Sequence, residues 1–249
     1  MHSLLKQIDE KQRQLATFQP FTPSLQKNIL DYARIELTYS SNAIEGNTLS
    51  LQETALVVEK GITVAGKTIT EHLEAVNHAS AFDYICTLQN RNRKDLTEET
   101  LLKIHAHVLK GIGDSNAGIY RQVPVRISGS RVVMPNPLKV PSLMQDFVTW
   151  LQGDLSQQAA TIAAEAHFKL VSIHPFVDGN GRTARLLMNL LLMQAGYPPA
   201  SIKPESRLEY IQALEKAQLG NGMQDYYLVI YKALIQSQDE LLKLLEAKS

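Results

Sequence analysis

His174-Pro175-Phe176-Val177-Asp178-Gly179-Asn180-Gly181-Arg182-Thr183-Ala184-Arg185 separates two stretches of helical periodicity, 160–173 before it and 182–195 after it. Pro175 disfavours α geometry at the residue ahead of it, so the first helix ends at His174 and leaves the imidazole at its mouth. Gly179 and Gly181 permit positive φ and let a ligand approach the backbone closely. The next helix begins around 180–182. Its unpaired amides and positive dipole end, reached through a glycine-rich turn, form an anion site. Arg182 and Arg185 are three apart, share a helix face and add two guanidinium forks. Gly196 and then Pro198-Pro199 stop this second helix. Phosphate is the ligand that these groups fit.

A polyphosphate at such a site brings magnesium, which takes one or two carboxylates together with phosphate oxygens and water. Asp178 is the candidate metal ligand. His174, with an ordinary pKa of about 6.5, is then the general base for an incoming hydroxyl at neutral pH. Other motif readings fit less well. Gly179-x-Gly181-x-x-Ala184 satisfies a loose dinucleotide fingerprint, but that fingerprint follows a strand, and the flanking segments here read as helices. A calcium loop beginning at Asp178 lacks its glycine and its closing glutamate, since Thr183 and Asn189 stand there. No lysine follows the glycines, which excludes a Walker loop.

Outward from this segment the chain reads as mainly α. Leu101, Leu102, His105, Val108 and Leu109 form one apolar face, with Thr97 as its N-cap, and Leu143, Phe147, Trp150 and Leu151 form another, closed by Gly153. A long helix is expected over about 225–247. The stretch 122–137 differs, with two β-branched pieces around Ser128-Gly129-Ser130 and prolines at its ends. It is expected to form a small β-hairpin whose free edge offers pairing to an extended peptide. His72, His78, His105, His107 and His167 read as structural, and so does Trp150.

With 249 residues, 44% hydrophobic and 20% charged, the chain has enough apolar surface for one large domain, with or without a small attached lobe. A formal net charge of zero gives no basic surface for nucleic acid, and nucleic acid is not an expected partner. The single cysteine, Cys86, rules out a disulfide or a cysteine zinc site within one chain. Charges interrupt the N-terminal segment where a signal peptide needs its apolar core, and the longest apolar run is far shorter than the roughly 20 residues of a membrane span. The expectation is a cytoplasmic protein without a membrane partner.

Residues 174–185 match at every specified position the signature of the Fic family, His-Pro-Phe-x-[Asp/Glu]-Gly-Asn-Gly-Arg-x-x-Arg. The resemblance implies a Fic fold, a helical bundle with a small β-hairpin flap. It also implies an enzyme that transfers AMP from ATP, with Mg2+, to a serine, threonine or tyrosine hydroxyl of a target protein. By position it makes His174 the base, Asp178 the metal ligand, Gly179, Asn180 and Gly181 the phosphate-binding turn, and Arg182 and Arg185 the clamps. The glycines favour nucleotidyl transfer over the kinase-like Doc pattern. Upstream, Ser41-Asn42-Ala43-Ile44-Glu45-Gly46 resembles the inhibitory motif of Fic proteins that carry an N-terminal inhibitory helix. There Glu45 would pair with Arg185 in a bidentate contact and take the place of the γ-phosphate.

The similarity covers roughly 38–218 and is marked toward the animal endoplasmic-reticulum branch of the family. That branch's anchor and helical repeats are absent from the sequence as read, so its substrate and compartment are not carried over. In such relatives the flap registers the target, here through Val125, Arg126 and Ile127. Adenosine is met from the flap at Val125 and from positions corresponding to Tyr210 and Gln218. The expected organisation is an N-terminal helical region over 1–96 with the inhibitory helix at about 38–47, then a Fic core over 97–220 with its flap at about 122–137, then a C-terminal helix over 221–249. Removal of AMP at the same site and a non-catalytic nucleotide-sensing module are the alternative activities, and a homodimer is a possible assembly.

Overall fold

The computed structural model describes residues 1–247, and Lys248 and Ser249 of the expected C-terminal region lie outside the described residues. In chain order the helices are α1 (His2–Ala16), α2 (Pro23–Glu45), α3 (Leu51–Lys60), α4 (Ile69–Leu88), α5 (Glu98–Leu109), α6 (Val140–Gln152), α7 (Ala159–Ile173), α8 (Asn180–Gln194), α9 (Arg207–Gln218) and α10 (Gln224–Glu246).

Local chemistry sets many of these boundaries. The Thr22 hydroxyl accepts from the Leu25 amide at 3.3 Å, and Pro23 fills the first turn of α2. Gly46 ends that helix at φ 103°, a left-handed geometry that glycine reaches without a Cβ clash. The segment expected as an inhibitory helix is thus the C-terminal end of a much longer one, and Glu45 is its last helical residue. Ser50 with Glu53, and Thr68 with Glu71, form capping boxes that open α3 and α4. Thr97 caps α5 and Gly153 closes α6, as their sequences predict.

α8 is buried on nearly all of its faces, from Asn180 to Leu192. The helix lies in the middle of the fold even though Arg182, Arg185 and Asn189 are among its buried residues, and α2, α4, α5 and α7 pack around it. α1 runs against α10, which also carries α9. A continuous apolar cluster joins Ile8 of α1, Phe82 of α4, Leu101 of α5, Met144 of α6, Leu187 of α8 and Tyr226 of α10. The signature loop therefore hangs between two helices fixed in the densest part of the molecule.

Asn189 shows how α8 is held. Its Nδ2 donates to the carbonyls of Arg185 and Ala200 at 3.0 and 3.2 Å, and its Oδ1 accepts from the Ala200 amide at 2.6 Å. Replacing Asn189 with Ala leaves buried backbone groups of Ala200 without partners. The expected cost is about 2 kcal/mol, read as a fall in melting temperature of roughly 4–8 °C for a chain of this size.

The stretch 122–137 corrects one expectation. Among the described residues it contains no paired strands; it is an extended loop closed by a turn, with the Ser130 amide on the Ile127 carbonyl at 3.1 Å. Pro124, Pro135 and Pro137 have no N–H to give to a ladder. Side chains join the two arms instead. The Arg121 guanidinium donates to the carbonyls of Val123 and Pro135 at the base. At the tip the Glu215 carboxylate on α9 accepts from the Arg131 amide and the Ser130 hydroxyl. Also among the described residues, no helix is long and apolar enough to cross a membrane.

Candidate active site

α7 ends at Ile173, and His174 follows it at φ 52° and ψ 59°, the one positive φ outside glycine among the described residues. For a residue with a Cβ this geometry costs on the order of 1–2 kcal/mol and persists only where neighbours enforce it. Nδ1 of His174 lies 3.4 Å from the Val171 carbonyl, a contact only a protonated Nδ1 can make, which leaves Nε2 with the free lone pair. Burial pushes the His174 pKa down and the Arg121 charge adds to this, against opposing contributions from the Val171 contact, Glu45 and Asp178. The ring is therefore neutral, and basic at Nε2, at neutral pH.

The loop after His174 is shaped from beneath. The Asn180 side chain accepts from the Phe176 amide and donates to the Phe176 carbonyl, both at 2.9 Å, so it closes the turn and leaves its own backbone amide for a ligand. His105, assigned by sequence to a purely structural role, accepts from the Gly118 amide at Nδ1 and faces the Asp178 carbonyl with Nε2, each at 2.9 Å. Its ring stacks on Phe176 with centroids 3.6 Å apart. A Cβ on Gly179 would come within 3.3 Å of this ring and of Val108, at a φ of 75°. Only glycine fits that position.

His105 belongs to a set of histidines kept neutral by burial. His78 and His167 are pushed down to about 3 and His105 to about 4, in each case first by desolvation. Unfolding in mild acid lets all three take up protons that the native state refuses. Stability is thus fully present above the unfolded value of about 6.5 and falls as pH drops below it, by up to about 1.4 kcal/mol per pH unit for each group. A urea midpoint that declines steadily from pH 7 to pH 4.5 is the expected result. A flat profile would show that these rings are not excluded from water.

No side chain caps α8, and the first-turn amides of Asn180, Gly181 and Arg182 have no intrahelical acceptor. Glu45 fills this opening. A Cβ built on Gly181 would lie 2.5 Å from Glu45 Oε1 and 2.9 Å from Arg185 Nη1, so the carboxylate rests against the helix start where an anion belongs. Arg185 Nη2 donates to Glu45 Oε1 at 2.7 Å. The contact is single rather than the bidentate pair expected, and Ser41 shares the guanidinium. The Ser41 hydroxyl takes Nε and its carbonyl takes Nη2, both at 2.9 Å. Arg182 is held by other acids, with Nη1 on Glu74 at 2.9 Å and Nη2 on Asp178 at 3.3 Å. Its Nε is buried without a partner, a donor still to be satisfied.

Asp178 is open, with its side chain 66% exposed. Its Oδ1 accepts from the Gly179 amide at 2.6 Å. One exposed carboxylate beside an anion site suits a Mg2+ that arrives with a polyphosphate and keeps much of its water. Among the described residues no cluster of three or more His, Cys, Asp or Glu could hold a metal unaided.

The outlying predicted residues divide. Val125 and Ile127 are half-buried and Arg126 is exposed, the alternation of an extended segment. Gln218 donates to Ser172 at 3.3 Å, near the end of α7. Tyr210 is buried, its hydroxyl meets His167 at 2.9 Å, and it also borders the Arg185 guanidinium, so it stands directly beneath the site. Glu74, Arg121 and Glu215 carry no motif and were not foreseen, since each acts through a partner far along the chain.

Comparison with known proteins agrees with this geometry. A model of the Fic/DOC family matches residues 95–192. Fic-1 from C. elegans superposes with a TM-score of 0.90 at 30% sequence identity, over 100% of this chain and 73% of that one. The chain belongs to the Fic family. Its Fic fold is also that of a Fic domain containing signaling protein from Bacteroides thetaiotaomicron, with a TM-score of 0.85 and 26% identity, over 99% of this chain and 98% of that one. Proteins named protein adenylyltransferase Fic are 40% identical over 87% of this chain in Culex quinquefasciatus, and 38% identical over 88% of it in Nematostella vectensis. The chain covers 43% and 51% of those two relatives, about half their length. Of the residues picked out by sequence, His174, Asp178, the α8 amides, Arg182 and Arg185 lie in the Fic loop and the helix it opens, and Glu45 reaches Gly181 and Arg185 from the end of α2.

Proposed function

We propose that this chain transfers AMP from ATP to a hydroxyl side chain of a target protein, and that Glu45 holds it in a resting state. The observation that carries the reading is the Glu45 carboxylate seated on Gly181 and Arg185. It marks an anion site at the mouth of α8, beside a neutral histidine with a free Nε2. The naming of the curated relatives as adenylyltransferases supports it further.

In this reading His174 Nε2 takes the proton from the target hydroxyl as its oxygen attacks the α-phosphorus of ATP. The bond from that phosphorus to the bridging oxygen breaks, and pyrophosphate leaves. Arg182, Arg185 and the first-turn amides of α8 neutralise charge as it builds on the departing group. The imidazolium then gives its proton to solvent. Asp178 would hold Mg2+, which supplies charge neutralisation on the triphosphate when bound. Val125 and Ile127 of the flap are suited to register an extended target segment, with Val133, 91% exposed, on the same loop.

Label transfer tests the reading. With ATP labelled at the α-phosphate, a target protein is expected to retain label in the presence of a Glu45→Gly variant, and with γ-labelled ATP it is not. Label retained from the γ position would make the chain a kinase and overturn the proposal. No label from either, together with calorimetric ATP binding, would leave a nucleotide sensor.

A further inference from the structure

Arg121 sits at the start of the flap loop, 3% exposed, and its partners are backbone carbonyls. Nε donates to the His174 carbonyl at 2.7 Å, Nη1 to Val123 at 3.1 Å and Nη2 to Pro135 at 2.7 Å. Its own amide donates to the Pro175 carbonyl at 2.9 Å. One residue therefore grips two consecutive carbonyls of the base-bearing turn and both arms of the flap. These are the places where the chain lacks regular support: His174 is in left-handed geometry, and the flap among the described residues has no strand pairing of its own. A planar guanidinium has donors on several edges at fixed angles, so it cannot follow one carbonyl without moving against the others.

We propose that Arg121 is a positioning residue that couples the register of a docked target segment on the flap to the setting of the His174 base, an inference that rests on the AMP-transfer reading. A target seated against the flap shifts the Val123 and Pro135 carbonyls. Through the guanidinium, that shift is felt at the His174 carbonyl. The target thereby helps set the base that will deprotonate it, whereas the triphosphate is held at the mouth of α8 by amides and arginines to which Arg121 makes no hydrogen bond.

The test compares Arg121→Lys and Arg121→Gln, each in a Glu45→Gly parent, so that the resting contact does not mask the effect. Lysine keeps the charge but loses the planar fork. In both variants kcat for AMP transfer is expected to fall about 10- to 100-fold, the scale of a displaced catalytic group, with lysine the milder. Calorimetric Kd for ATP should stay within about twofold of the parent. Hydrogen exchange should quicken together at amides of the flap and of the turn at 176–179. Unchanged kcat in both variants would overturn the proposal. So would ATP affinity falling in step with kcat, or exchange rising in the flap alone. A parent that labels nothing would sink the AMP-transfer reading by itself, while exchange still decides whether Arg121 links flap and base.

Discussion

Replacing Glu45 with Gly is expected to raise AMP transfer about 10- to 100-fold and to tighten ATP binding in parallel, because a charge-assisted hydrogen bond of roughly 1.5–3 kcal/mol no longer competes for the site. The geometry gives the sign. Glu45 rests on Gly181 and donates nothing to the reaction, while its carboxylate takes the one Arg185 nitrogen that it shares with Ser41. Removing it frees the α8 opening and leaves the Arg185 side chain, 6% exposed, as a buried cation without its acid. Such a cation is costly until an anion arrives. The free variant should therefore melt below the wild type and gain more from added ATP, since a ligand that binds only the native state stabilises it by mass action. Glu45→Gln, which keeps the shape and loses the charge, should fall between the two. If the glycine variant bound ATP no more tightly and showed no larger thermal shift, the seat of Glu45 would be incidental.

The loop and its two helices were legible because their determinants are local. Pro175 ends α7 within a residue of where its sterics require, Gly179 gives the turn its left-handed entry to α8, and Gly196 follows close behind that helix. The inhibitory segment was legible only through resemblance, since a lone glutamate followed by glycine carries no charge signal of its own. What was missed is long-range. Arg182 meets Glu74 across 108 residues and Arg121 meets His174 across 53, and no periodicity encodes such pairings. The flap was misread for a related reason. β-branched residues flanking a Ser-Gly-Ser turn favour a hairpin locally, but the prolines withhold donors and the Arg121 guanidinium spans the gap that a ladder would have closed.

Replacing His174 with Ala in the Glu45→Gly background is expected to lower AMP transfer by about 10²- to 10⁴-fold, the usual contribution of a positioned general base, with ATP affinity nearly unchanged. The separation follows from the structure. In the proposed reading the groups that meet phosphate are the α8 amides, Arg182 and Arg185, and none of them is hydrogen-bonded to the imidazole, whose own hydrogen-bond contact is the Val171 carbonyl. The loop is held by His105, Asn180 and the Arg121 contacts to main-chain carbonyls, so removing the ring leaves those supports in place. Alanine still bears a Cβ at φ 52°, so the backbone strain persists and the comparison isolates the base. The pH profile of the Glu45→Gly parent should agree. Burial holds the His174 pKa below its ordinary 6.5, so the ring is neutral and active above that lowered value, and activity is lost only as pH falls through it. Activity that halves above pH 7, or a His174→Ala variant that keeps the parent's rate, would remove the histidine from the reaction and leave the cleft as a phosphate site without a base.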